Sequence, residues 1–127
     1  MLNDKGTLLI VEDEVSFRTI YRDLFQGEGY GVLTAEDGET GWALTRKEKP
    51  DLVLLDLKLP KLDGYEVLRR IREDDDTKKI PVLIFSVMED QRDVRKAMDL
   101  GADDYTVKGY YTSRQILQKI EELLAQG

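Results

Sequence analysis

Five times along the chain a short apolar run is followed by residues recurring at helical spacing, and this alternation limits the possible folds more than any other feature. LLIV (8–11) precedes Phe17, Ile20, Tyr21 and Leu24, whose i, i+3, i+4, i+7 spacing marks one face of a helix. YGVLTA (30–35) precedes a shorter, Gly-interrupted helix holding Ala43 and Leu44, which ends before Pro50 because the residue ahead of a proline is pushed out of the helical region. DLVLLD (51–56) leads through the turn LPKLDG to Val67, Leu68 and Ile71. IPVLIF (80–85) leads to Val94, Ala97 and Met98, with a stop near Gly101. DYTV (104–107) leads to Ile116, Leu117, Ile120, Leu123 and Leu124, with Thr112 or Ser113 as the helix cap.

Strands this apolar need cover on both faces, which points to an α/β doubly wound (βα)5 fold with a five-stranded parallel sheet. Right-handed crossovers put helices on both faces only if the winding reverses once. Ligands of such sheets bind beyond the carboxyl ends of the strands at that reversal. A length of 127 residues suits one domain, expected to span 1–127.

The chain has no Cys and no His, which removes disulfides, thiolate nucleophiles, imidazole bases and the usual zinc sites. Any bound metal must be held by oxygen. A net charge of -7, from 26 acidic against 19 basic residues, argues against direct nucleic-acid binding. The nearest basic stretches, TRKEK (45–49) and RRIR (69–72), read as solvated helix faces. Apolar runs reach only about four residues and MLNDKGT carries no apolar signal segment, so no membrane span is indicated and a cytoplasmic location is the expectation.

The residues just past the strands are Glu12 and Asp13, Glu36, Asp56, Ser86 and Lys108. If the spatial order is 2-1-3-4-5, strands one and three flank the reversal and bring Glu12, Asp13 and Asp56 together, while Ser86 and Lys108 approach from the other side. Three carboxylates in one pocket repel unless a cation or proton shares it. With no nitrogen ligand nearby, magnesium with retained waters fits best. The same set suits phosphoryl transfer to a carboxylate, with Asp56 as nucleophile and Lys108 and Ser86 meeting the phosphoryl oxygens. Taken singly, each has a plainer reading: Glu12 and Asp13 as the first turn of a helix, Asp56 as a turn residue, Ser86 as a helix start, Lys108 as a surface lysine.

These residues are where the chain resembles a response-regulator receiver domain of bacterial two-component signalling. LLIVEDE resembles the opening strand and acidic pair of that family, DLVLLDLKLPKLDGYEVLRRIR its phosphorylation strand and turn, and GADDYTVK its last strand and lysine. The strand order 2-1-3-4-5 comes with this resemblance. It implies that Asp56 accepts the phosphoryl group, and that Glu12, Asp13 and Asp56 set up a magnesium site completed by the backbone carbonyl of Lys58. Ser86 and Lys108 then contact the phosphoryl group, and Tyr105 is the switch aromatic that turns inward when Ser86 moves. The implied partners are a histidine kinase or phosphotransfer protein, with a possible homodimer through the fourth helix, fifth strand and fifth helix. By the residues alone, Tyr105 is a half-buried structural aromatic, Trp42 packs against the sheet, and the Lys58 side chain points outward.

Two positions depart from the family's pattern: Gly109 follows the lysine where Pro is common, and the branched Val87 follows Ser86 where a small residue is usual. Three rivals remain. An aspartyl-nucleophile phosphatase resembles an Asp-x-Asp arrangement, but here Lys58 stands where the general acid would be. A flavodoxin-like carrier needs a hydroxyl-rich phosphate loop, and EDEVS offers carboxylates instead. A degenerate receiver acting as scaffold or dimerisation module rests only on Val87 and Gly109. No turnover beyond self-phosphorylation from small donors and slow self-dephosphorylation is expected.

Overall fold

In a computed structural model, residues 5–126 are described, so part of the MLNDKGT stretch lies outside them, as does Gly127. Strands β1 (Thr7–Val11), β2 (Gly31–Ala35), β3 (Leu52–Leu55), β4 (Val82–Ser86) and β5 (Asp104–Val107) alternate with α1 (Val15–Gly27), α2 (Gly38–Glu48), α3 (Gly64–Glu73), α4 (Gln91–Asp99) and α5 (Ser113–Gln126). All four pairings are parallel, in the expected order β2-β1-β3-β4-β5. The winding reverses between β1 and β3.

Alternate side chains of each central strand enter two separate cores. Leu8, Ile10, Leu52, Leu54, Leu83 and Phe85 meet α1 and α5 through Phe25, Ile116 and Ile120. Leu9, Val11, Val53, Leu55, Val82 and Ile84 meet α2, α3 and α4, where Val67, Leu68, Ile71 and Ala97 are fully buried. Each buried Val, Leu or Ile side chain contributes ~1.5–3 kcal/mol on burial. The continuous apolar runs follow from this double cover. Trp42 packs against the second core, as expected.

Two core assignments need correction. Ile20 is 58% exposed and Phe25 takes its place in the core, because α1 faces the sheet through Phe17, Tyr21, Leu24 and Phe25. Ile20 stands about a quarter turn from the centre of that face. Met98 is 41% exposed for the same reason: α4 turns Ala97 and Val94 inward. Ser86, expected just beyond its strand, is the last residue of β4.

N-terminal caps start the helices where the chain leaves each turn. Asp37, Asp63 and Asp90 each accept a backbone N–H from the first turn of α2, α3 and α4. Thr112 and Gln115 form a reciprocal capping box at α5: the Thr112 hydroxyl accepts from Gln115 N–H at 3.1 Å and the Gln115 amide oxygen from Thr112 N–H at 2.8 Å. In RRIR, Arg69 pairs with Glu66 and Glu73 and Arg70 with Glu66, as a solvated face should. Arg72 instead turns inward, donating to the carbonyls of Gly101 and Ile80 and to Asp103. Among the described residues no helix is long and apolar enough to cross a membrane.

Candidate functional site

Backbone hydrogen bonds carry the sheet register one residue past the strands and so fix the site. Glu12 N–H donates to the Ala35 carbonyl at 2.9 Å, Asp56 N–H to Val11 at 3.0 Å and Lys108 N–H to Ser86 at 2.8 Å. Three side chains from three strands are thereby held at one end of the sheet, at the reversal.

There Glu12, Asp13 and Asp56 each offer a carboxylate oxygen within 4.8 Å of the others. Glu12 and Asp56 are buried; Asp13 is exposed at the mouth. The Lys108 ammonium donates to Asp56 Oδ2 at 3.0 Å and lies 2.6 Å from Glu12 Oε1. Lys58 N–H reaches Asp56 Oδ1 at 3.3 Å, and the Lys58 side chain points to solvent as expected. Glu12 Oε2 accepts from Glu14 N–H at 3.0 Å, tying the acidic pair to the start of α1.

The electrostatics favour a further cation. Burial pushes Glu12 up from 4.5 to about 7, against the pull of Lys108 and the Glu14 amide, and the Asp56 charge adds to the rise. Burial alone would lower the Lys108 ammonium, but Glu12 and Asp56 outweigh it and hold it above its ordinary value. One lysine thus serves two buried carboxylates, with a third at the rim. Glu12 Oε1 meets Lys108 as an ion pair without a hydrogen bond of good geometry, so a buried anionic oxygen still lacks a directed donor. An all-oxygen set with excess negative charge fits a hard divalent ion.

Ser86 is buried at the end of β4, and its hydroxyl accepts from Met88 N–H at 3.2 Å. Tyr105 is 8% exposed, and its hydroxyl donates to the Met88 carbonyl at 2.5 Å. The Tyr105 ring is therefore already buried here, with the Met88 carbonyl satisfying its phenol. Val87 is 53% exposed. Gly109 has φ +88°, which a proline ring locked near −65° could not adopt. The loop after Lys108 therefore takes a path that depends on glycine.

Two residues that position the site escaped the sequence reading. A Cβ on Gly64 would stand 2.2 Å from the Asp56 carbonyl oxygen and 2.6 Å from Leu57 Cα, so only glycine lets α3 begin directly against the Asp56 backbone. Its N–H donates to the Leu57 carbonyl at 2.8 Å. The "DG" pair in LPKLDG is the signal that was available. Arg18 donates to the carbonyls of Glu12 at 2.8 Å and Asp13 at 3.3 Å, bracing the loop that carries both acids. A lone arginine in a helix gives no sign of this in sequence.

A doubly wound parallel sheet with an acidic cation pocket and an opposed buried lysine at its reversal defines the receiver class of signalling module. The family model of the response regulator receiver domain matches residues 8–121, and the chain belongs to that family. It is 41% identical over 121 residues to the transcriptional regulatory protein AfsQ1 of Streptomyces coelicolor, covering 95% of this chain and 52% of that protein. The chain spans about half the length of the curated relatives it matches. Among solved structures it resembles the signal receiver domain of a signal transduction histidine kinase from Syntrophus aciditrophicus, with TM-score 0.87, 27% identity, and 95% and 91% of the two chains covered. It also resembles the Mn(2+)-bound form of the response regulator Rcp1, with TM-score 0.80, 28% identity, and 92% of each chain covered.

Proposed function

We propose that the chain acts as a single phosphorelay receiver domain in the cytoplasm, with Asp56 accepting a phosphoryl group from a histidine kinase or phosphotransfer protein. The observation that carries this is Lys108 Nζ at 3.0 Å from Asp56 Oδ2, beside the Glu12, Asp13 and Asp56 oxygens. A carboxylate oxygen of Asp56 attacks phosphorus, the bond from phosphorus to the donor nitrogen or oxygen breaks, and the donor leaves with the electron pair. Lys108 neutralises charge on the transferred oxygens and Ser86 adds a hydrogen bond. Asp13 and Asp56 would hold magnesium directly, with the Lys58 carbonyl, and Glu12 mainly through water. When bound, the ion neutralises charge between acceptor and phosphoryl group. Rcp1 binds manganese in its solved form, which supports a divalent ion here.

The phosphoryl group adds roughly 1.5 to 2 negative charges, which draw Ser86 and Lys108 toward Asp56. The surface of α4, β5 and α5 then presents the output to a partner or a second copy. The relatives matched over about half their length are named as transcriptional regulators, which supports a regulatory output. Intact-mass measurement after incubation with acetyl phosphate and magnesium tests the reading. One added phosphoryl group is expected in the wild type and none in Asp56→Asn. Equal labelling of both would remove Asp56 as acceptor.

A further inference from the structure

We infer that Phe17 is a positioning residue for Lys108, its ring face holding the ammonium over Asp56. The Lys108 side chain is 3% exposed, so its charge is almost fully stripped of water. An ammonium has three N–H groups. Asp56 Oδ2 takes one, Glu12 Oε1 lies 2.6 Å away as an ion pair without a directed hydrogen bond, and among the described residues no other oxygen is bonded to Nζ. The Phe17 ring centroid lies 4.6 Å from Nζ and that of Phe85 5.5 Å. The negative face of an aromatic ring attracts a cation at this range, most strongly when both are desolvated.

The rings are themselves held in place. Phe17 meets Phe85 edge to face at 5.9 Å, and Tyr21 meets Phe85 in the same way at 5.0 Å. Phe17 sits on α1, one turn beyond the acidic pair, so the helix capped at Glu14 aims the ring back over the site. Both carboxylates holding Lys108 belong to the acidic cluster, where a bound cation or phosphoryl group competes for them. The ring is neutral and does not enter that competition. Phe17 therefore keeps Lys108 over the pocket when its carboxylate partners change.

The consequence for labelling rests on Asp56 being the phosphoacceptor; the placement of Lys108 does not. The test compares wild type, Phe17→Leu, Phe17→Tyr, and Phe17 replaced by 3,4,5-trifluorophenylalanine, which keeps the ring's shape and removes the negative charge of its face. Hydrogen exchange of the Lys108 ammonium, read by nitrogen-15 NMR without divalent ions, should speed about tenfold in the leucine and trifluoro variants and stay near wild type in the tyrosine variant. Labelling by acetyl phosphate with magnesium should slow in the same order, about three- to tenfold. Equal exchange in all four proteins overturns the inference. Should the leucine variant fail to fold, the trifluoro variant decides. Should the wild type take no phosphoryl group while the exchange order holds, the phosphoacceptor reading falls and the placement of Lys108 by Phe17 stands.

Discussion

Lys108 reaches Asp56 across 52 residues of chain and binds Oδ2 at 3.0 Å. The same ammonium lies against Glu12, so one cation balances two buried acids contributed by two other strands. Removing it should expose how each acid is tolerated. In Lys108→Met, labelling by acetyl phosphate should fall at least a hundredfold, because the transferred oxygens lose their fixed cation. Stability should fall by less than the ~3–5 kcal/mol typical of an orphaned buried charge, since Glu12 already takes a proton near pH 7. Urea unfolding at pH 7 measures this; a larger loss would mean that Glu12 stays ionised without its partner.

Gly64 should tolerate no side chain. A methyl group would meet the Asp56 carbonyl at 2.2 Å and Leu57 Cα at 2.6 Å, both backbone atoms that cannot step aside. Gly64→Ala should cost at least the ~1–3 kcal/mol of an overpacked core and should slow labelling by displacing Asp56. Gly27→Ala, at a helical glycine with open space around it, should instead stabilise by about 0.4–1 kcal/mol. Chemical denaturation of the two variants gives opposite signs if Gly64 is there for close approach.

The strands and the site acids were legible because each is a local pattern: four apolar residues ending in a charge, repeated. The strand order was not local and came with the family resemblance. Ile20 and Met98 were placed in the core because spacing alone gives a stripe without its centre, which depends on what the helix packs against. Arg72 looked solvated among RRIR, yet it bridges α3 to the Gly101 and Ile80 carbonyls, and only the fold brings those within reach. Arg18 and Phe17 stayed silent for the same reason, each acting on an atom that another part of the backbone delivers, whereas Gly64 left a local sign in the DG pair.

Glu12 should give the metal-free protein an inverted pH dependence. Its folded value of about 7 lies above its ordinary 4.5, so the folded state binds more protons than the unfolded state between those values. The contribution of this group to stability is then greatest below about 4.5 and falls as pH rises through the window to about 7. Thermal melting in chelator should show this downward slope in wild type and a flatter profile in Glu12→Gln. Magnesium affinity should weaken as pH drops below 7, since binding must displace the proton. Parallel profiles for both proteins would show that Glu12 is ionised throughout.

Val87 follows Ser86 directly and is 53% exposed at the start of the β4–α4 loop. Its branched side chain should hinder a donor approaching Asp56, so Val87→Ala should speed labelling severalfold with little change in stability. An unchanged rate would retire the steric argument.

Tyr105 offers the last test, because its ring is buried before any phosphoryl group arrives. Its hydroxyl donates to the Met88 carbonyl, and Met88 N–H in turn donates to the Ser86 hydroxyl, so the three residues form one chain of contacts from β5 to the end of β4. A ligand shifts a two-state equilibrium only by its differential affinity, and a ring buried beforehand has little inward travel left. Beryllofluoride, a phosphoryl mimic, should therefore move the NMR resonances of Ser86 and Lys108 while leaving the Tyr105 ring protons nearly in place. Tyr105→Phe removes the donor to a part-buried carbonyl, which should cost about 0.5–1.5 kcal/mol and broaden signals from residues 86–90 as the loop opens. A large beryllofluoride shift of the Tyr105 ring would mean that the outward rotamer dominates before phosphorylation, and the contact to Met88 would then belong to the switched state alone.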